Sequence, residues 1–243
     1  MLCWPPVDVQ NSSMPLFSAI SKVMISGAKP AWTQMNEIVL GVHTMPLISG
    51  EAVQNPARAW WRGEPSKHAR HDDNCHYATI DYWNVRRVLR FLDLKDTDVF
   101  VDIGCGMGRI VCMAARLPLR KCIGIELSES LCAIARRNAS NLRGRRSPVE
   151  IRCCDAATAD VVDGTVYFMF NPFGPETLGD TLENIRRSVC EQPRPIRIVY
   201  YNAVHESLLE SMRWLKRGCG LKSIGGLTVG VWSSANRVAS QRY

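Results

Sequence analysis

The sequence predicts an α/β fold built on a mostly parallel sheet, and three observations carry this. From about residue 79, short β-branched apolar runs alternate with stretches of helical period. A loop with glycines at 104, 106 and 108 joins the first of these runs to the helix after it. The last two apolar runs, "LKSIGG" and "LTVGVWSS", follow each other directly, so they should pair antiparallel at an edge.

Each element has its own signal. Val85, Val88, Leu89 and Leu92 recur at i, i+3, i+4 and i+7, which predicts an amphipathic helix over 79–93. "DVFVDI" (98–103) is a buried strand. "GRIVCMAARL" (108–117) is helical and stops at Pro118. "KCIGIE" (121–126) is the second strand, and Ser128 is a good N-cap for a helix over 129–142. "VEIRCC" (149–154) and "TVYFMF" (165–170) are the third and fourth strands. "PETLGDTLENIRRSVC" (175–190) is a helix with Pro in its first turn. "IRIVYYN" (196–202) is the fifth strand and "HESLLESMRWL" (205–215) the last helix. Alternation at this spacing means right-handed βαβ units.

Upstream, prolines and polar breakers recur. Residues 1–74 read as a partly helical N-terminal extension and a candidate substrate lid, with one helix in 31–42 and a short one around Val53–Trp61. Residues 75–243 read as the α/β domain. With 243 residues, 46% of them hydrophobic, the chain is long enough for one substantial domain and too short for two full-sized ones. No run of 18 uncharged apolar residues appears, so no membrane span is expected. The start lacks a secretory pattern, which predicts a cytoplasmic protein. Ten cysteines without a Cys-x-x-Cys pair read as reduced, buried small hydrophobes rather than a disulfide framework. The formal charge of +7 gathers in arginine runs at 84–90, 135–146 and 183–188. These read first as solvated helix faces and second as a surface for anionic partners. His68, His71, Cys75 and His76 are metal-ligand types, but their spacing matches no zinc motif, so no metal is expected.

The loop "VDIGCGMGR" (101–109) lets the backbone lie close to a ligand at the carboxyl end of the first strand. Its glycine spacing is G-x-G-x-G, with Arg109 in the third glycine's place of a dinucleotide fingerprint. This disfavours a nicotinamide oxidoreductase, and no Walker sequence is present. Glu126 ends the second strand, 22 residues after Gly104, where a carboxylate can accept both hydroxyls of a ribose. Asp155 follows the third strand, where it can accept from an adenine amino group.

"VFVDIGCGMGR", "IGIELS", "CCDAATAD" and "FNPFG" together resemble the successive motifs of class I S-adenosylmethionine-dependent methyltransferases over roughly residues 77–235. More narrowly, they resemble a loosely characterised bacterial group with an Asn-Pro-Phe-Gly motif, whose upstream pieces "GVHT" (41–44) and "YATIDYW" (77–83) match. The resemblance implies a Rossmann-like seven-stranded methyltransferase sheet, mostly parallel with an antiparallel edge hairpin. It implies S-adenosylmethionine as cofactor, with S-adenosylhomocysteine as product. Asp102 with Gly104, Cys105, Gly106 and Gly108 would hold the methionine part. Glu126 and Leu127 would hold the ribose, Asp155 and Ala156 the adenine, and Tyr77 and Asn171 would complete the cofactor site. Related nitrogen methyltransferases carry Asn/Asp-Pro-Pro-Tyr/Phe after the fourth strand. Here Phe173 takes the second proline's place, so two readings stay open: Asn171 and Phe173 align an acceptor, possibly a nitrogen, or the loop only packs on the cofactor.

The implied activity is methyl transfer to an unidentified acceptor, a small molecule or protein in preference to nucleic acid. The alternative is a catalytically silent methyltransferase-fold binding or scaffold protein. Tyr82 and Trp83 also suit the core, and Asn202 and His205, after the fifth strand, are further candidates to face a substrate.

Overall fold

The computed structural model describes residues 31–44, 80–222 and 226–234. In chain order the elements are α1 (Ala31–Leu40), α2 (Tyr82–Phe91), β1 (Val99–Ile103), α3 (Arg109–Ala114), β2 (Lys121–Glu126), α4 (Glu129–Asn141), β3 (Val149–Cys153), β4 (Val166–Phe170), α5 (Pro175–Glu191), β5 (Arg197–Tyr201), α6 (Glu206–Ser211), β6 (Leu215–Arg217), β7 (Leu221–Lys222) and β8 (Thr228–Ser234). The short helix expected around Val53–Trp61, the His68–His76 run and Tyr77 lie outside the described residues.

The sheet has eight strands in the order β3-β2-β1-β4-β5-β8-β6, with β7 paired to β8. The first five are parallel. All of β1 is buried, as a strand covered on both faces requires. Alternate residues feed two cores. Phe100, Cys122 and Phe168 face one side; Val101, Ile123, Tyr167 and Met169 face the other. The chain runs outward from β1 to β3, then returns to lay β4 on β1's other edge. That reversal puts the topological switch point, where open α/β sheets bind their ligands, at the carboxyl ends of β1 and β4.

The carboxyl-terminal part departs from expectation. The last helix stops at Ser211, where Met212 turns extended, and Leu215–Arg217 becomes strand β6. β7 and β8 do pair antiparallel, Leu221 with Val229. β8, however, is not an edge strand: it lies between β5 and β6, antiparallel to both. The expected helix was drawn too long because Leu208, Met212 and Leu215 keep helical spacing while the backbone bonds that decide the matter are non-local.

α2 starts at Tyr82, with Asp81 as N-cap accepting from the Asn84 amide at 2.9 Å. Its buried face is Tyr82, Val85, Val88 and Leu89. Trp83 falls outside that stripe and is 56% exposed, so its assignment to the core is corrected. One helical step of about 100° carries a side chain off a packed face.

Candidate active site

The glycine loop is built by backbone geometry. Gly104, Gly106 and Gly108 all have positive φ, at 71°, 54° and 84°. The amides of Gly104 and Cys105 both donate to the Ile125 carbonyl at 2.9 Å, which pins the loop to the end of β2. Gly104 is also a close-approach position: a Cβ there would sit 2.4 Å from Pro172 Cβ. The loop after β1 thus touches the Asn-Pro-Phe-Gly loop after β4 at the switch point.

Glu126 ties the same loop from the other side. One carboxylate oxygen accepts from the Gly106 amide and the other from the Ser128 amide, both at 2.9 Å. Burial nonetheless raises its pKa above the usual carboxylate value, against the pull of these amides. A carboxylate offers about four lone-pair sites. The two backbone bonds therefore leave Glu126 able to accept from a diol without releasing the loop. Leu127 follows it, its carbonyl accepting weakly from Cys153 Sγ at 3.9 Å.

Asp102 is buried, and its Oδ2 accepts from the Val111 amide in the first turn of α3 at 3.1 Å. Burial pushes its pKa up to about 8; the Val111 amide opposes the shift and the nearby Glu126 charge adds to it. Cys105 is buried, and burial holds its thiol well above the ordinary range, with the nearby Asp102 and Glu126 adding to the shift. Asp155 closes β3's end as an Asx turn, Oδ1 accepting from the Ala157 amide at 2.8 Å. Ala156 is buried beside it, its carbonyl accepting from Asn184 of α5.

Asn171 has φ 41°, uncommon for a non-glycine residue, and its Oδ1 accepts from the Tyr200 hydroxyl at 2.9 Å. Asn202, one strand over and also just past a strand end, has φ 54°. Such backbone positions cluster at functional sites. Phe173 lies in the core. Only 4% of it is exposed, and it belongs to the core cluster with Ile103, Ala156 and Met169. His205 is the N-cap position of α6 and makes no side-chain cap bond.

A polar cluster that the sequence reading missed braces the far side of the glycine loop. Arg109 is 4% exposed and pairs with the equally buried Glu37 of α1 at 3.5 Å. Its Nε donates to Thr44 Oγ1 at 2.7 Å, its Nη1 to the Ile80 carbonyl at 2.9 Å, and its guanidinium lies 4.4 Å from the Tyr82 ring centroid. Glu37 Oε1 also takes the Thr44 amide and hydroxyl. Arg109 is thus a strut between the loop and the segments at 31–44 and 80–82. The available signal was Glu37 itself, a carboxylate between Thr33 and Leu40 on the helix face that packs inward.

Among the described residues, no group of three or more His, Cys, Asp or Glu could hold a metal ion, and no helix is long and apolar enough to cross a membrane.

Residues 67–156 match the family model described as "Histone methylation protein DOT1". A protein-lysine N-methyltransferase of Saccharolobus islandicus is 32% identical over 89 residues, which is 35% of this chain and 53% of that protein. The H3 lysine-79-specific histone-lysine N-methyltransferase of Drosophila melanogaster is 36% identical over 62 residues, 25% of this chain and 3% of that one. This chain therefore spans about half of one relative and a small part of the other. An RNA methyltransferase from Salinibacter ruber, solved with S-adenosyl-L-homocysteine, superposes with TM-score 0.52 at 28% identity, over 67% of this chain and 97% of that one. The fold is that of the S-adenosylmethionine-dependent methyltransferases. Within that fold, the matched family segment contains the glycine loop, Glu126 and Asp155.

Proposed function

We propose that this protein is an S-adenosylmethionine-dependent methyltransferase. The observation that carries the reading is the Glu126 carboxylate at the carboxyl end of β2. It holds the Gly106 amide of the glycine loop and keeps acceptor capacity for a ribose diol. The Salinibacter ruber structure, bound to S-adenosyl-L-homocysteine, supports the same cofactor here.

The residues fit the cofactor's parts. Glu126 accepts from the ribose hydroxyls, with the Leu127 backbone beside it. Asp102 and the loop 104–108 take the methionine end, where an arriving ammonium group would favour release of the proton that burial holds on Asp102. Asp155 and the Ala156 backbone take the adenine. Tyr77 is retained as a candidate contact from the upstream segment. When bound, S-adenosylmethionine supplies a methyl carbon activated by a sulfonium. The protein's own work is alignment and exclusion of water rather than acid–base chemistry.

Asn171 is the residue proposed to align the acceptor. Its Oδ1 already accepts from Tyr200, which fixes the amide, and a second lone pair on that oxygen suits an acceptor N–H. A nitrogen acceptor also accords with the family match and the lysine-methylating relatives. Phe173 supports the loop from beneath.

Calorimetry with S-adenosylhomocysteine tests the cofactor assignment. Binding is expected in the wild type and at least tenfold weaker in Glu126→Ala. No detectable binding by a folded wild-type protein would end the proposal.

A further inference from the structure

Two loops lie together at the amino ends of β2 and β3, the end of the sheet opposite the candidate active site. They span residues 115–120 and 142–148. The Arg146 and Ser147 amides both donate to the Ala115 carbonyl, at 2.8 and 3.1 Å. Ser147 Oγ accepts from the Leu119 amide at 2.7 Å and donates to the Leu117 carbonyl at 2.5 Å. Five arginines, Arg116, Arg120, Arg143, Arg145 and Arg146, stand on this stitched pair, with no acidic residue and no lysine in either loop.

Among the described residues none of the five pairs with a carboxylate, although several cations elsewhere do. Arg186 is neutralised by Glu183, Arg197 by Asp98, and Arg217 by Glu206. The nearest acids in the sheet are already engaged. Glu150 takes Lys121 and Arg152, and Asp98 takes Arg197 and Thr165. What holds two of them is uncharged: Arg143 donates to the Ile38 carbonyl at 3.1 Å and Arg145 to the Ala139 carbonyl at 3.4 Å. Carbonyls orient a guanidinium without cancelling its charge. Gly144, at φ 70°, leaves room for Arg116, whose Nε would lie 3.3 Å from a Cβ there. That Nε is buried and has no hydrogen-bond partner among the described residues.

We propose that this arginine surface binds the phosphate backbone of a nucleic acid. Arginine's planar fork matches phosphate oxygens, which suits a set of five arginines without lysine. Neither loop itself carries a large exposed hydrophobic, and the exposed Ile38 and Val39 of α1 adjoin Arg143 alone among the five, so an acidic protein is the competing occupant that the polyglutamate arm below separates. The surface lies about one strand length, ~20 Å, from the glycine loop, so it anchors a flanking part of the polymer. The carboxyl-terminal part of the 135–146 arginine run is thus a binding surface in addition to a solvated face. The proposal does not rest on the methyl-transfer reading, because binding is measured without cofactor.

The test is fluorescence anisotropy with labelled single-stranded RNA, single-stranded DNA and duplex DNA of equal length, over a salt series. The wild type is expected to bind, and the relative affinities identify the natural source of the phosphates. The triple variant Arg143→Ser, Arg145→Ser, Arg146→Ser should bind at least tenfold more weakly at low salt. Its log–log salt slope should be shallower by roughly two, about 0.7 per lost contact on a single strand. S-adenosylhomocysteine binding should be unchanged. Arg120→Glu, on the other loop, repeats the test if the triple variant melts early. Wild-type protein that binds none of the three polymers, variants that bind as tightly as wild type, or polyglutamate bound as tightly as nucleic acid would each overturn the proposal.

Discussion

Gly104 and Pro172 touch so closely that no side chain fits between them. A Cβ on Gly104 would lie 2.4 Å from Pro172 Cβ, and Gly104 holds φ 71°. The two loops, one after β1 and one after β4, are therefore in register only with glycine at this position. Gly104→Ala combines a left-handed backbone with a clash, so it should cost at least about 2 kcal/mol. Urea denaturation checks the stability, and calorimetry should show weakened S-adenosylhomocysteine binding in the fraction that folds.

Arg109 is expected to behave as a structural strut. Arg109→Met breaks the buried Arg109–Glu37 pair, which should cost about 3–5 kcal/mol. Adding Glu37→Gln should recover part of this loss. A double-mutant cycle by denaturant unfolding measures the recovery. Additive losses would mean that the pair is not coupled.

Asp102 predicts a pH dependence. Its folded pKa, about 8, lies above the ordinary carboxylate value of 3.8. The folded state therefore holds a proton that the unfolded state has released, and stability falls as pH rises from about 4 to about 8. The slope is at most about 1.4 kcal/mol per pH unit. Asp102→Asn keeps an acceptor for the Val111 amide and should flatten the profile in this window. Melting temperatures between pH 5 and 8 check it.

Phe173 separates a core role from a substrate role. Truncating a buried phenylalanine costs about 3–5 kcal/mol, so Phe173→Ala should lose that much stability. Phe173→Leu should keep the fold and S-adenosylhomocysteine binding. Thermal unfolding of both variants measures it, and a fully stable Phe173→Ala would contradict the burial.

Asn171 takes the converse test. Glycine suits its φ of 41°, so Asn171→Gly should fold and bind S-adenosylhomocysteine much as wild type does. If the amide aligns the acceptor, methyl transfer to any identified acceptor should drop at least tenfold. Unchanged turnover would leave the loop as packing only.

Much of the fold was legible because its signals are local. β2 falls on residues 121–126 as expected, and Ser128 caps α4, since an apolar run and a cap depend on neighbours in sequence. The three glycines could be read because positive φ is a property of single residues. The strand-end positions of Glu126 and Asp155 followed from the same periodicity. Trp83 was misplaced because one helical step decides between core and solvent. β6 was missed because a three-residue strand exists only through its partner β8.

By itself, then, the sequence determined the α/β alternation, the glycine loop and the acids at the ends of β2 and β3, all through short-range periodicity and turn chemistry. Only the tertiary structure decided which parts meet. It placed Pro172 on Gly104, Tyr200 on Asn171, and Glu37 on Arg109 from 72 residues away. It buried Phe173 and set two arginine loops side by side at the opposite end of the sheet. Those outcomes depend on strand order and on desolvation of paired groups, which no local pattern encodes.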